Sequence, residues 1–124
     1  MSYNLEIVSR HGYLRAKVTG KNTKENVMRY MEELVLECKR SKCRCLLIEE
    51  QLEGPRLDTN SVFDIASEGS QKSRAQFRAI AYVDTFAESS SMKNAEAFAS
   101  NRGLNVGVFK KVDEAENWLA EFVT

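Results

Sequence analysis

Two short apolar segments near the start of the chain predict an antiparallel hairpin. LEIV (5–8) and YLRAKVT (13–19) are separated by a polar segment that contains Gly12. From Leu14 to Thr19 apolar and polar residues alternate, which places the apolar side chains on one face of a strand and the polar ones on the other. The pattern indicates two paired strands with one face in solvent.

The following segment predicts the clearest helix of the chain. Thr23 is of the residue type that caps helix N-termini. Apolar residues then recur at three- and four-residue spacing from Val27 to Cys38, over about four helical turns.

Three apolar runs lack alternation and therefore predict strands that are covered on both faces. They are CLLI (45–48), AIAYV (79–83) and VGVF (106–109). Continuous apolar runs of this length are typical of central strands in a sheet with helices on its faces.

Helical patterns lie between and after these strands. One runs from about Asp58 to Ser70, and a second begins at about Ser91 and stops at Gly103. In the last segment, VDEAENWLAEFV, Asp113 and Glu116 have a spacing like that of a capping box. Its inward face would carry Ala115, Trp118, Leu119 and Phe122.

The order β-β-α-β-α-β-α-β-α predicts an α/β fold. Right-handed crossovers convert this order into a mixed five-stranded sheet flanked by four helices. A length of 124 residues with 43% apolar and 29% charged side chains fits one globular domain over residues 1–124.

Charge and composition narrow the classes of partner. The 18 basic and 18 acidic residues are interleaved, so there is no basic stripe to follow a phosphate backbone, and nucleic acid is not an expected partner. No run approaches the ~18 apolar residues that a membrane span needs, and the N-terminus does not resemble a signal peptide. Three cysteines, an odd number, suit a reducing compartment and hence a cytoplasmic location.

Known catalytic patterns are sparse. His11 is the only histidine, so a Ser-His-Asp relay would have to pass through the hairpin turn. No glycine pattern for binding nucleotide phosphates is present. Cys38, Cys43 and Cys45 could hold a soft metal, but their positions favour small buried hydrophobes. We therefore expect no enzyme, no metal and no cofactor.

Carboxylates follow two of the predicted central strands. Glu49 and Glu50 come after one strand and Asp84 after the next. Because ligands bind at the carboxyl ends of strands in open α/β sheets, these side chains could form an acid–base pair there. A solvated rim is the alternative, since strands also end where the chain meets water.

The segment EEQLEGPRLDT (49–59) contains the only proline and leads from a strand into a helix. The helix start would offer free amides to an anion, with Arg56 beside it. Asp58 could instead cap these amides itself, in which case Pro55 and Gly54 only shape the turn.

Three segments carry a family resemblance: TKENVMRYMEELVLEC, LLIEEQLEGPRLD and NAEAFASNRGLNVGVFKKVDEAENWL, especially its final DEAENWL. Together they resemble the SpoIIAA-like branch of the STAS fold, the group around the anti-sigma-factor antagonists, which is related in shape to lipid-carrying CRAL/TRIO domains. The resemblance covers nearly the whole chain, and its motifs concern fold rather than catalysis.

The resemblance implies a non-enzymatic regulator that docks on a protein partner through the third strand and the helix after it. Antagonists of that family carry a phosphorylatable serine in an Asp-Ser-Ser-Gly-like motif there. The sequence LDTNSVFD departs from that motif, although Thr59 and Ser61 offer hydroxyls for phosphorylation.

Two functions therefore stand as hypotheses. The first is a protein-interaction module, which could also form a homodimer, and the second is a small-ligand domain for a lipid or an anion, with an apolar pocket under the helix from 58 to 70. The residues expected to bind the partner or ligand are Glu53, Gly54, Arg56, Asp58 and Ser61.

Overall fold

The computed structural model describes residues 3–73, 75–84 and 89–123. The predicted order of strands and helices is confirmed. The strands are β1 (Tyr3–Arg10), β2 (Tyr13–Lys21), β3 (Cys45–Glu53), β4 (Ala79–Val83) and β5 (Val106–Phe109). The helices are α1 (Lys24–Arg40), α2 (Thr59–Ser73), α3 (Ser90–Asn101) and α4 (Val112–Leu119).

The five strands lie in the sheet in the same order as in the chain. β1 and β2 are antiparallel, and β2 to β5 are parallel to one another, which confirms the mixed sheet. Because right-handed crossovers that all step in one direction return on the same side, α1, α2 and α3 share one face of the sheet. α4 follows the last strand and covers the other face.

β3 separates two cores. Leu46 and Ile48 pack towards α1 and α3, whereas Leu47, between them, packs towards Ala115 and Leu119 of α4. All five side chains are almost inaccessible to solvent. The absence of alternation in the sequence of this strand follows from its two covered faces.

The predicted signals at the ends of α1 and α3 are confirmed. The Thr23 hydroxyl accepts a hydrogen bond of 3.1 Å from the backbone N–H of Asn26. Gly103, which follows the C-cap Arg102 of α3, has φ +87°, in the left-handed region that glycine enters at little cost.

The capping box predicted for α4 is wrong. The N-cap is Lys111, without a side-chain cap, and Asp113 already lies inside the first turn. Glu116 instead reaches the sheet, where its Oε2 accepts a 2.7 Å hydrogen bond from the Tyr13 hydroxyl.

α4 lies very close to β5. The Trp118 ring packs between those of Phe109 and Phe122, with centroid distances of 5.4 and 5.0 Å. A Cβ on Gly107 would lie 2.7 Å from the Phe109 ring and 3.2 Å from that of Trp118. This close packing requires a residue without a side chain at position 107.

α2 is held by its neighbouring helices rather than by the sheet. Lys24 of α1 forms a 2.8 Å ion pair with Asp64, and the rings of Phe63 and Phe98 of α3 meet at 5.4 Å. None of the α2 side chains that the structure describes is fully buried. A space therefore remains between this helix and the sheet.

No described helix combines the length and apolar character needed to cross a bilayer.

Candidate functional site

A cavity of about 440 Å³ lies between the sheet and the three helices on its first face. Its walls include Val27, Met31, Ile48, Ile65, Ile80 and Ala95. The volume falls within the range of roughly 300 to 1,000 Å³ that is usual for small-molecule sites.

Small residues on the helices leave this space open. Ala66 and Gly69 of α2, and Ala95 and Ala99 of α3, line the cavity where larger side chains would fill it. A Cβ built on Gly69 would meet no other atom within 4 Å. The cavity therefore exists because these positions of α2 and α3 carry small side chains.

Polar side chains gather at one end of the cavity, near the carboxyl ends of β3 and β4. The Glu50 carboxyl accepts hydrogen bonds from the hydroxyls of Tyr30 and Tyr82, whose oxygens are 2.7 Å apart. Asp84 also hydrogen-bonds to Glu50, and its Oδ2 lies 3.6 Å from Nη1 of Arg56. Of these five, all except Tyr30 line the cavity.

Burial controls the charge of this polar cluster. It raises the pKa of Glu50 to about 7, although the two tyrosine hydrogen bonds act in the opposite direction, and Asp84 raises it further. The pKa values of Tyr30 and Tyr82 are also well above 10, mainly because of burial and then because of Glu50. Near neutral pH the Glu50 carboxyl therefore exchanges between its neutral and ionised forms.

The predicted grouping of three carboxylates is right for Glu50 and Asp84 and wrong for Glu49. Successive side chains of a strand point to opposite faces, so Glu49 leaves the cavity side. Its Oε1 lies 3.3 Å from Nη2 of Arg15.

The predicted site residues at the end of β3 and in the loop after it lie partly at the cavity and partly on the surface. Arg56 points to Asp84 at the polar end of the cavity. Glu53 and Gly54 are exposed, and Gly54 has φ +114°, a backbone conformation that favours glycine. The loop thus forms a shaped turn at the edge of the cavity.

Asp58 caps α2, as in the second of the two interpretations of the helix start. Its Oδ1 accepts a 2.7 Å hydrogen bond from the backbone N–H of Ser61. This bond lowers the pKa of the Asp58 carboxyl. The helix start therefore already holds an anionic group. Thr59 is exposed and Ser61 partly buried, and their phosphorylation stays a prediction.

Two solved structures resemble the chain over almost its full length. One is an anti-sigma factor antagonist from Mycobacterium paratuberculosis, with 9% identity, a TM-score of 0.53, and coverage of 96% of this chain and 95% of that one. The other is an uncharacterised DUF3478-family protein from Shewanella loihica, described as SpoIIAA-like in fold, with 22% identity, a TM-score of 0.56, and coverage of 95% and 93%. The chain has a SpoIIAA-like fold. No protein-family model and no curated protein matches it.

The three cysteines of this SpoIIAA-like fold pack as small hydrophobic residues. Cys38 and Cys45 are buried, and burial raises the pKa of the Cys38 thiol to about 12 and also raises that of Cys45. The Cys43 thiol donates to the carbonyl oxygen of Cys45 at 3.3 Å. Within residues 3–73, 75–84 and 89–123, no three potential ligand side chains form a metal site.

The contact of Tyr30 and Tyr82 with Glu50 is the feature of the candidate site that the sequence pattern did not predict. Tyr30 lies in the apolar stripe of α1 and Tyr82 in the apolar run of β4, so both fit a plain core. A buried tyrosine hydroxyl usually needs a partner, and Glu50 lies two residues after a buried apolar run, on the same face of the strand as Ile48. That combination is the signal that would have placed the three side chains together.

Proposed function

We propose that this SpoIIAA-like domain binds a small, largely apolar molecule in the cavity beneath α2. The observation that carries the proposal is the cavity itself, about 440 Å³ in volume and walled mainly by aliphatic side chains. Interiors are normally close-packed, so an apolar space of this size is unusual for a core that has no occupant.

The volume indicates the size of the ligand. An apolar cavity of about 150 Å³ takes one benzene molecule, so the present cavity has room for roughly 15 to 20 non-hydrogen atoms. A ligand of that size would restore the dispersion contacts that the sheet and α2 do not make with each other.

The side chains around the cavity favour binding over covalent catalysis. A carboxyl with a pKa of about 7, as found for Glu50, has the value that general acid–base catalysis uses. The described residues that line the cavity include no Ser, Thr, Cys, Lys or His. The groups that could otherwise act as nucleophiles, Glu50, Asp84 and Tyr82, are already hydrogen-bonded or ion-paired. We therefore propose that the cavity binds its ligand without converting it.

Binding of the neutral fluorescent probe N-phenyl-1-naphthylamine tests the proposal. The wild type should increase the emission of the probe, because the probe leaves water for an apolar site. Ala95→Phe should abolish this increase by filling the cavity from α3. Ala97→Phe is the matched control, since Ala97 is exposed on the same helix, and this variant should bind the probe as the wild type does.

Circular dichroism should show that Ala95→Phe and Ala97→Phe both remain folded. Equal probe binding by the wild type and a folded Ala95→Phe variant would place the probe elsewhere and contradict the proposal. Failure of the wild type to bind the probe at all would contradict it as well.

A second candidate is a regulatory module that docks on a protein partner. It is favoured by the likeness to an anti-sigma factor antagonist over 96% of the chain, and by the exposed turn after β3. In this proposal the contact surface consists of Glu53, Gly54, Asp58 and Ser61. Arg56 links that surface to the cavity.

Charge reversal on the turn tests the docking proposal. Glu53→Lys should abolish capture of one reproducibly identified partner from native lysate, because Glu53 is exposed at the carboxyl end of β3. Glu121→Lys, exposed beyond α4, is the control and should keep the partner. A partner retained by both variants would place the docking surface elsewhere.

A further inference from the structure

We infer that the ligand carries a protonated amine, which is held at the polar end of the cavity by Glu50 and Asp84. This inference rests on the proposed function and names the chemical class of the molecule that the cavity accepts. It follows from the balance of charges around the cavity, from the donors and acceptors at its polar end, and from its apolar walls.

Carboxyl groups outnumber cationic groups around the cavity. Its acidic lining residues are Glu32, Glu50, Glu68, Asp84 and Glu96. Arg56 is the only cationic side chain among the described lining residues. Glu32 and Glu68 are exposed, so solvent screens them. Glu96 already accepts a 2.7 Å hydrogen bond from the backbone N–H of Val108. The charge that acts on a buried ligand head is therefore that of Glu50 and Asp84.

Among the described lining residues, one cationic side chain stands against these two carboxyls when both are ionised. Arg56 lies close enough to Asp84 to balance one of them. Glu50 and Asp84 are in hydrogen-bond contact, and a proton on one of two such carboxyls removes the repulsion between their charges. In the empty cavity that proton supplies the second positive charge, and an ammonium group could replace it without adding net charge to the site.

Hydrogen bonding also fits an ammonium group. Such a group has three donors and no acceptor. Glu50 and Asp84 supply carboxylate oxygens at the end of the cavity, and the hydroxyl oxygen of Tyr82 lies beside them. A carboxylate head would instead be repelled by the ionised carboxyls, and Arg56 is the one described lining residue with a charge that would attract it. The aliphatic walls then accept the body of the molecule.

Binding of an amine should be coupled to release of a proton. The groups that contact Glu50 are Tyr30 from α1 and Tyr82 and Asp84 from β4 and its end, and Arg56 from the loop after β3 contacts Asp84 in turn. With a Glu50 pKa of about 7, roughly half of the empty molecules carry the proton at pH 7. About half a proton should therefore leave for each amine bound at that pH.

Isothermal titration calorimetry with decylamine, decan-1-ol and decanoate, below their aggregation concentrations, tests the inference. At pH 7 decylamine should bind on the order of tenfold or more tightly than either other probe, the ratio expected for hydrogen bonds to charged groups. Two buffers with different ionisation enthalpies give the number of protons released. Decylamine should release protons, and decan-1-ol should not.

Glu50→Gln keeps the shape of the side chain and removes its charge. It should abolish both the preference for decylamine and the proton release, while N-phenyl-1-naphthylamine still binds and shows that the cavity is intact. Glu25→Gln, on an exposed side chain of α1 that is not among the described lining residues, is the control and should behave as the wild type.

The outcomes separate the two proposals. Decan-1-ol or decanoate binding as tightly as decylamine, or decylamine binding without proton release, would overturn the amine inference and leave the cavity proposal standing. An unchanged amine preference in Glu50→Gln would overturn it as well. Failure of the cavity proposal would show in the probe experiment instead, as equal binding of N-phenyl-1-naphthylamine by the wild type and by a folded Ala95→Phe variant.

Discussion

Replacing Glu50 with glutamine should remove about 3 kcal/mol of pH dependence from the free energy of unfolding, the equivalent of a pKa raised from 4.5 to about 7. The folded protein holds this proton more tightly than the unfolded chain. Between about pH 4.5 and 7 the unfolded chain therefore loses the proton first, and the wild type becomes less stable as the pH rises. The stabilising contribution is fully present below pH 4.5, and glutamine has no proton to lose.

Urea unfolding at a series of pH values from 4 to 8 measures this effect. The difference in unfolding free energy between Glu50→Gln and the wild type should increase in favour of the variant as the pH rises. Glu53→Gln, on an exposed side chain at the end of the same strand, should follow the wild type. A pH-independent difference for Glu50→Gln would show that folding leaves the pKa of this carboxyl unchanged and that the polar cluster carries no extra proton.

Leu119→Ala should destabilise the protein by about 3 to 4 kcal/mol, in the upper part of the range for buried leucines. Leu119 is fully inaccessible in the close-packed core between α4 and the sheet. Ile65→Ala should cost only about 1 kcal/mol, because Ile65 already borders the cavity and its removal takes away few contacts.

Denaturant unfolding of both variants, with circular dichroism to check their native structure, measures the contrast between the two faces. Equal losses for Leu119→Ala and Ile65→Ala would mean that α2 packs as tightly as α4 does. In that case the cavity would be absent in solution.

The sequence predicted the elements whose order is recorded in local patterns. Alternation from Leu14 to Thr19 gave β2, and the unalternating run at 45–48 gave a strand covered on two faces. Thr23 and Gly103 marked helix ends through bonds to near neighbours, which are local as well. These features depend on residues a few positions apart, so periodicity was enough to find them.

The sequence could not predict features that depend on distances between elements. Asp113 and Glu116 have the spacing of a capping box, yet a hydrogen bond to Tyr13 across the sheet determines where Glu116 lies. An apolar pocket under the helix from 58 to 70 was one hypothesis from the sequence, but periodicity does not give the width of the gap between α2 and the sheet. The contact of Tyr30 with Glu50 likewise joins residues from different elements.

The sequential order of the strands bears on how the chain assembles during synthesis. Each strand after β1 pairs with the strand made just before it, so the sheet can grow at one edge while the ribosome is still translating. α1, α2 and α3 each emerge between two pairing strands and can cover the first face as it forms. The second face has to wait for α4, so Leu47 and Ala81 stay open to water until the segment carrying Leu119 has been made. The nascent chain is therefore most exposed to aggregation and to chaperones along one known face, in the interval between completion of β5 and docking of α4.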